Sequence, residues 1–215
     1  MVFKFGDNEI VPSSEAKFLG ITIDKNLKFS KHVDTVCKKL SSGIFVLNQL
    51  SNFSDTKVLL AAYYGLIYPY LAYAVPIWGH ENTRTKFIFK LQKKAIRVIF
   101  RKPRTFSCKS LFTGNNILTF PSIYILEAVF FVHKNLHLFQ TAPSTHRYSL
   151  RRNDNIKIPP HRTSFYEQHL GYNGVRLYNS LPEYFKSFRK LDVFRRKVKS
   201  YLLEKCYYKV SDFIL

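Results

Sequence analysis

The sequence predicts a mainly α fold, a bundle of helices preceded by a short antiparallel β-hairpin. Three observations lead there. Short β-type stretches broken by turn residues are confined to positions 1–29, apolar residues recur at helical spacing from Ser30 onward, and Pro, Gly and cap residues cut that remainder into helix-length segments. With 46% hydrophobic and 16% aromatic residues in 215, the chain can bury a core and falls outside the composition of a disordered basic tail.

Val2–Phe5 and Glu9–Val11 read as strands around a turn at Gly6-Asp7-Asn8, and Lys17–Ile23 as a further strand ending at Asp24-Lys25-Asn26. Ser30 is placed as the N-cap of a helix reaching Leu50, because Val33, Val36, Cys37, Leu40, Ile44 and Leu47 share one face. A second helix starts at Ser54-Asp55 and must end or kink before Pro69, whose ring and missing N–H break the hydrogen-bond ladder. A third is expected from Arg84 to Arg101, stopped by Pro103. Then come a short helix near Ser107–Phe112, a break at Gly114-Asn115-Asn116, and a long apolar helix with Pro121 in its first turn that extends to Leu138. Residues 141–170 read as irregular loop, and a final helix over 190–206 puts Leu191, Phe194, Val198, Tyr201 and Leu202 on one side.

Lys and Arg number 34 against 14 Asp and Glu, and the formal net charge of +20 points to a polyanionic partner. Half of that excess lies in 45 residues, Asn82 to Leu126, which hold ten basic side chains and no acidic one. Lesser basic stretches run through 146–162 and 186–209. On the third helix Lys86, Lys90, Lys93, Lys94, Arg97 and Arg101 fall within an arc of about 100°, beside an apolar arc of Phe87, Leu91, Ala95, Val98 and Ile99. Cations at i,i+4 spacing repel one another, a cost more readily tolerated when a polyanion lies against them, so these six are the expected nucleic-acid contacts.

Other classes find little support. Val58–Trp78 is 21 residues without a formal charge, long enough for a membrane span, but Pro69, Pro76 and five mid-stretch tyrosines favour a buried, kinked helix pair. A membrane-anchored basic protein spanning at 58–78 is the alternative. His133 and His137 sit four apart on a helix, a metal-compatible spacing, yet no neighbouring ligand completes a site and surface or cap roles are favoured. There is no Asp-Asp or Asp-x-Asp pair, no Gly-x-Ser-x-Gly elbow and no phosphate-cradling glycine loop, so no catalytic residue, metal, cofactor or small-molecule substrate is expected. Cys37, Cys108 and Cys206 form no paired framework, and residues 1–7 do not resemble a signal peptide. Nuclear or cytoplasmic residence, and not secretion, is the expectation.

The segment Lys17-Phe18-Leu19-Gly20-Ile21-Thr22-Ile23-Asp24, continuing through Leu27, Phe29 and His32-Val33, resembles the K-F-L-G-I-x-x-D block of non-LTR (LINE-type, jockey-like) retrotransposon reverse transcriptases. Ala61–Leu66, Tyr73 through Trp78-Gly79, Leu91–Arg97, Asn116–Ser122, Pro160–Ser164 and Leu177–Pro182 resemble the blocks that follow in that family, in the same order. The resemblance implies that residues 1–29 are the end of the palm, with Phe18, Leu19 and Gly20 as primer grip. It makes 30–105 a helical thumb and 106–215 a basic, mostly helical carboxy-terminal region. RNA or an RNA-DNA hybrid becomes the expected partner. The family's polymerase aspartates lie upstream of the primer grip and have no counterpart in this chain, so no residue inherits a catalytic role, and Mg would belong to the palm. The expected identity is a carboxy-terminal piece of an element's polymerase, from a truncated copy or an incomplete gene with Met1 as a fortuitous start. A relic without function, unable to fold stably alone, is the bland alternative.

Overall fold

Helix covers most of the computed structural model, which describes residues 3–6, 8–10, 13–139, 155–158, 160–167 and 169–214. Two small antiparallel hairpins lead the chain: β1 (Phe3–Phe5) pairs with β2 (Asn8–Ile10), and β3 (Glu15–Phe18) with β4 (Ile21–Asp24). Val2, Asp7 and Val11 of the expected first strands and turn lie outside the described residues. The expected single strand Lys17–Ile23 instead folds back on itself. Phe18 pairs with Ile21, and the two residues between them, Leu19 and Gly20, take positive φ (46° and 81°), as a two-residue type I′ turn requires. Glycine adopts that conformation without the steric cost that Leu19 bears.

Helix α1 (Ser30–Leu50) buries Val33, Val36, Leu40, Ile44 and Leu47, as the spacing predicts. Ser30 is not its cap. Phe29, in the left-handed region (φ 53°), holds the N-cap position without a side-chain bond, and the approach is fixed by Asp24, whose Oδ1 accepts from the amides of Asn26 and Lys28.

The uncharged stretch 58–78 is divided among α2 (Thr56–Leu66), α3 (Tyr68–Ala72) and α4 (Val75–Trp78). Asp55 caps α2 by accepting from Val58 N at 2.9 Å. The chain breaks at Ile67, before Pro69, and again at Tyr73-Ala74, where Ala74 has φ 49°. Leu59, Tyr63, Ile67, Leu71, Val75 and Trp78 are all fully buried, so the apolar spacing serves a core. No helix among the described residues is long and apolar enough to cross a membrane, which overturns the alternative of a span at 58–78. Gly79 follows because a Cβ there would lie 2.4 Å from Val75 Cγ2 and 2.7 Å from its carbonyl oxygen.

Helix α5 (Thr83–Ile99) starts in a capping box formed by Asn82 and Thr85, and α6 (Lys109–Gly114) follows. The apolar α7 (Phe120–Lys134) stops short of the expected Leu138, where a single 3₁₀ turn over Leu136–Leu138 takes over. Thr119 caps α7, accepting from Ser122 N while its hydroxyl donates to Tyr207 O at 2.6 Å. After the short α8 (Ser164–Glu167) come α9 (Leu170–Asn179), α10 (Glu183–Lys186) and α11 (Leu191–Lys205). Residues 141–154 of the expected loop are not among the described ones.

Helix α7 is the centre of the body, packed by α3, α4, α5, α9 and α11. Its only acid, Glu127, takes a two-pronged bond from Arg195 of α11 at 3.1 and 2.5 Å. One hydrophobic cluster runs from Ile21 of the second hairpin to Phe213 near the carboxy terminus.

His133 belongs to that core, not to the surface or a cap. Its ring stacks on Phe194 with centroids 3.8 Å apart, and its two nitrogens meet Tyr178 Oη at 3.1 Å and Phe188 O at 2.9 Å. Burial holds the imidazoles of His133 and His32 below their ordinary pKa. The unfolded chain therefore binds protons first as acid is added, and stability must fall as pH drops below about 6.5. Urea unfolding between pH 7 and pH 5 is expected to show this loss, and His133→Gln to lessen it. An identical loss in both proteins would contradict the assignment.

Candidate nucleic-acid interface

The two faces of α5 differ in rotation from the sequence pattern. Buried are Thr85, Ile88, Phe89, Gln92, Ala95, Ile96 and Ile99, whereas Phe87 is 55% exposed and Leu91 and Val98 are half-buried. Two polar residues cause the difference. Gln92 is fully buried with its amide satisfied: Nε2 donates to Tyr63 Oη (2.9 Å) and Leu118 O (2.8 Å), and Oε1 accepts from Phe120 N (2.7 Å). Thr85 is buried as half of the capping box. A hydrophobic pattern scores both as outward-facing.

The rotation leaves Lys86, Lys90 and Lys94 exposed and Lys93 and Arg97 half-buried. Between α5, the end of α1 and the segment after α5 lies an open groove of about 770 Å³. Lys90, Lys93, Lys94, Arg97 and Arg101 line it, together with Lys102 and Arg104, and no acidic residue does. Five of the six expected contacts thus share one concavity, while Lys86 lies beyond it in a smaller neighbouring groove. Lys102 and Arg104 were outside the helical arc because the helix ends before them; the unbroken Arg101-Lys102-Pro103-Arg104 run is the signal that points to them.

The chain turns into that run through a Schellman-type end. Lys102 N donates to Arg97 O at 2.9 Å and Arg101 N to Val98 O at 3.1 Å, with Arg101 in the left-handed position (φ 49°) where glycine is usual. The guanidinium of Arg101 donates to Ser51 O (3.0 Å) and Ser54 O (2.6 Å), closing the free carbonyls at the end of α1. Arg97 Nε donates to Phe106 O at 2.9 Å. Both arginines therefore build the groove walls, and the lysines are its adaptable charges.

Lys93 Nζ lies 4.7 Å from the centre of the Phe89 ring. Burial lowers its pKa, and the neighbouring cations Arg97 and Lys90 add to the effect. Carboxylate partners among the described residues go to Lys31, Arg84, His161 and Arg195, none of them in the groove. Such an array fits a chain of phosphates. No group of three or more His, Cys, Asp or Glu among the described residues is placed to hold a metal ion.

Phe18, Leu19 and Gly20 are not part of the basic groove. They form the tip of the second hairpin, with Phe18 64% and Leu19 71% exposed. Tyr73 Oη donates to Leu19 O at 2.6 Å, and Trp78 Nε1 donates to Tyr73 O at 3.0 Å, so the tip is tied to the helical body. Phe18 borders a separate apolar groove with Ile21, Ile77, Phe131 and Leu138.

No family model matches the chain, and no solved structure matches it. Over 90 residues it is 33% identical to a probable RNA-directed DNA polymerase from transposon BS of Drosophila melanogaster. That stretch is 40% of this chain and 10% of the relative, so the matched stretch is a small part of that protein's length. The similarity supports a relation to reverse transcriptases.

Arg101 separates backbone strain from side-chain bonding. Arg101→Ala keeps the left-handed conformation and loses both carbonyl bonds, with an expected destabilisation of about 1–3 kcal/mol. Arg101→Gly loses the same bonds but relieves the strain, and should be the more stable variant by about 1 kcal/mol. Denaturant unfolding reads the order, and a less stable glycine variant would contradict the capping role.

Proposed function

We propose that this chain is the carboxy-terminal part of a non-LTR retrotransposon reverse transcriptase, binding template-primer or element RNA through the groove on α5 and lacking the polymerase aspartates. The observation that carries the reading is the gathering of seven cations in one groove with no acid among them. The similarity to a transposon polymerase supports the nature of the anion. In this reading residues 1–29 end the palm, 30–105 form the thumb and 106–215 the basic carboxy-terminal region. Phe18, Leu19 and Gly20 act as primer grip: an apolar tip braced by Tyr73 suits contact with a primer's sugar and base surfaces. The Mg ions of polymerisation belong to the palm, and this chain holds nucleic acid without performing chemistry on it.

Backbone recognition by lysine and arginine depends on released counterions and ignores sequence. With about six phosphates neutralised, log affinity for an RNA-DNA hybrid should fall against log salt with a slope near −5. Changing Lys90, Lys93, Lys94 and Arg97 together to Ala is expected to flatten that slope by about 3.6, with unfolding checked alongside. An unaltered slope in a folded variant refutes the proposal.

A further inference from the structure

The smaller groove beside α5 differs in chemistry from the first. Its volume is about 280 Å³ and its lining includes the rings of Phe89, Phe120, Pro121 and Tyr208, with Lys86, Lys90, Lys93 and Lys209 among the remaining residues. The one carboxylate present, Glu81, is held at Oε2 by the amides of Val210 and Ser211. Lys90 and Lys93 line both grooves, so the apolar site continues directly from the phosphate-binding one.

We propose that this groove is a nucleobase site, in which one unpaired base of a single strand packs against Tyr208, Phe89 and Pro121 while the adjoining phosphates rest on Lys86, Lys90 and Lys209. The proposal rests on the reading that the basic groove holds a nucleic-acid backbone. Carbon walls beneath a cationic rim match the two halves of a nucleotide, an apolar ring face joined to an anion. A base in a duplex presents only its edge, so the occupant is unpaired. The volume lies at the small end of ligand pockets and suits a single ring system, not a stacked pair. Lys93 lies near both sets of groups, 4.7 Å from the Phe89 ring centre and 5.6 Å from that of Tyr208. A phosphate there would offset the repulsion Lys93 receives from Arg97 and Lys90. With walls of this kind the site reads ring stacking and not hydrogen-bond pattern, so it accepts any base and discriminates against strands that have none.

The test uses the whole chain and two single strands with equal numbers of phosphates, one an RNA carrying a fluorescent adenine analogue, the other abasic throughout. The RNA is expected to bind about tenfold more tightly than the abasic strand, with the analogue's emission quenched and the same salt slope for both. Tyr208→Leu, which removes a ring whose hydroxyl has no hydrogen-bond partner among the described residues, should abolish the preference and leave the slope intact. Equal affinity for the two strands, with the salt slope retained, overturns the base site while leaving the backbone reading in place. Absence of salt-dependent binding to either strand overturns both. Should Tyr208→Leu fail to fold, the comparison of the two strands on the unaltered chain still decides.

Discussion

A single buried amide sets the orientation on which the rest of the molecule depends. Gln92 joins α5 to Tyr63 of α2 and to Leu118 and Phe120 at the start of α7, satisfying donor and acceptor together in a dry interior. A helix with apolar side chains alone on its inner face could roll by a residue and still bury comparable area. Gln92 allows one roll, since any other would strand polar groups of three elements. The same constraint that centres Ile88, Gln92, Ala95 and Ile99 inside turns Lys86, Lys90 and Lys94 outward.

The groove and the hairpin tip are held by the same kind of device, a long side chain closing free backbone groups at a distance. Arg101 joins the end of α5 to the end of α1, which brings the basic run 101–104 against the lysines of the helix. Tyr73 links the break between α3 and α4 to the β3–β4 turn, so a hairpin tip that exposes the large apolar side chains of Phe18 and Leu19 has a fixed position. Helix α7 supports both as the shared interior wall, and its bond to Arg195 carries α11 onto the same body. Charge was left on the surface where these links do not use it, and most densely beside α5.

Much of the fold was legible because its signals are local. The periodicity of α1, the Asp55 cap, the break before Pro69 and the placing of Pro121 in the first turn of α7 are each decided by neighbouring residues. What was missed depends on partners distant in sequence. Helix α9 carries Gly171, Asn173 and Gly174, poor helix formers, and Gly174 is there because a Cβ would press on Leu170 and on Val132 of α7 at 3.0 and 3.1 Å. The polar core residues Gln92, Thr85 and His133 look like surface until their hydrogen-bond partners are known. The candidate site was legible to the same degree: its lysines came from the acid-free stripe and the basic run 101–104 pointed to Lys102 and Arg104, but its walls, and the placing of that run against the lysines, depend on the turn at Arg101.

The most direct measurement is the unfolding free energy of Gln92→Leu. Leucine has similar bulk and is more apolar, so if burial alone positioned α5 the variant would be as stable as the parent or more so. If the amide network is the constraint, the substitution leaves Phe120 N–H and Leu118 O unpaired in the core, and the loss should be about 3 kcal/mol. A stability equal to or above that of the unaltered chain would contradict the account.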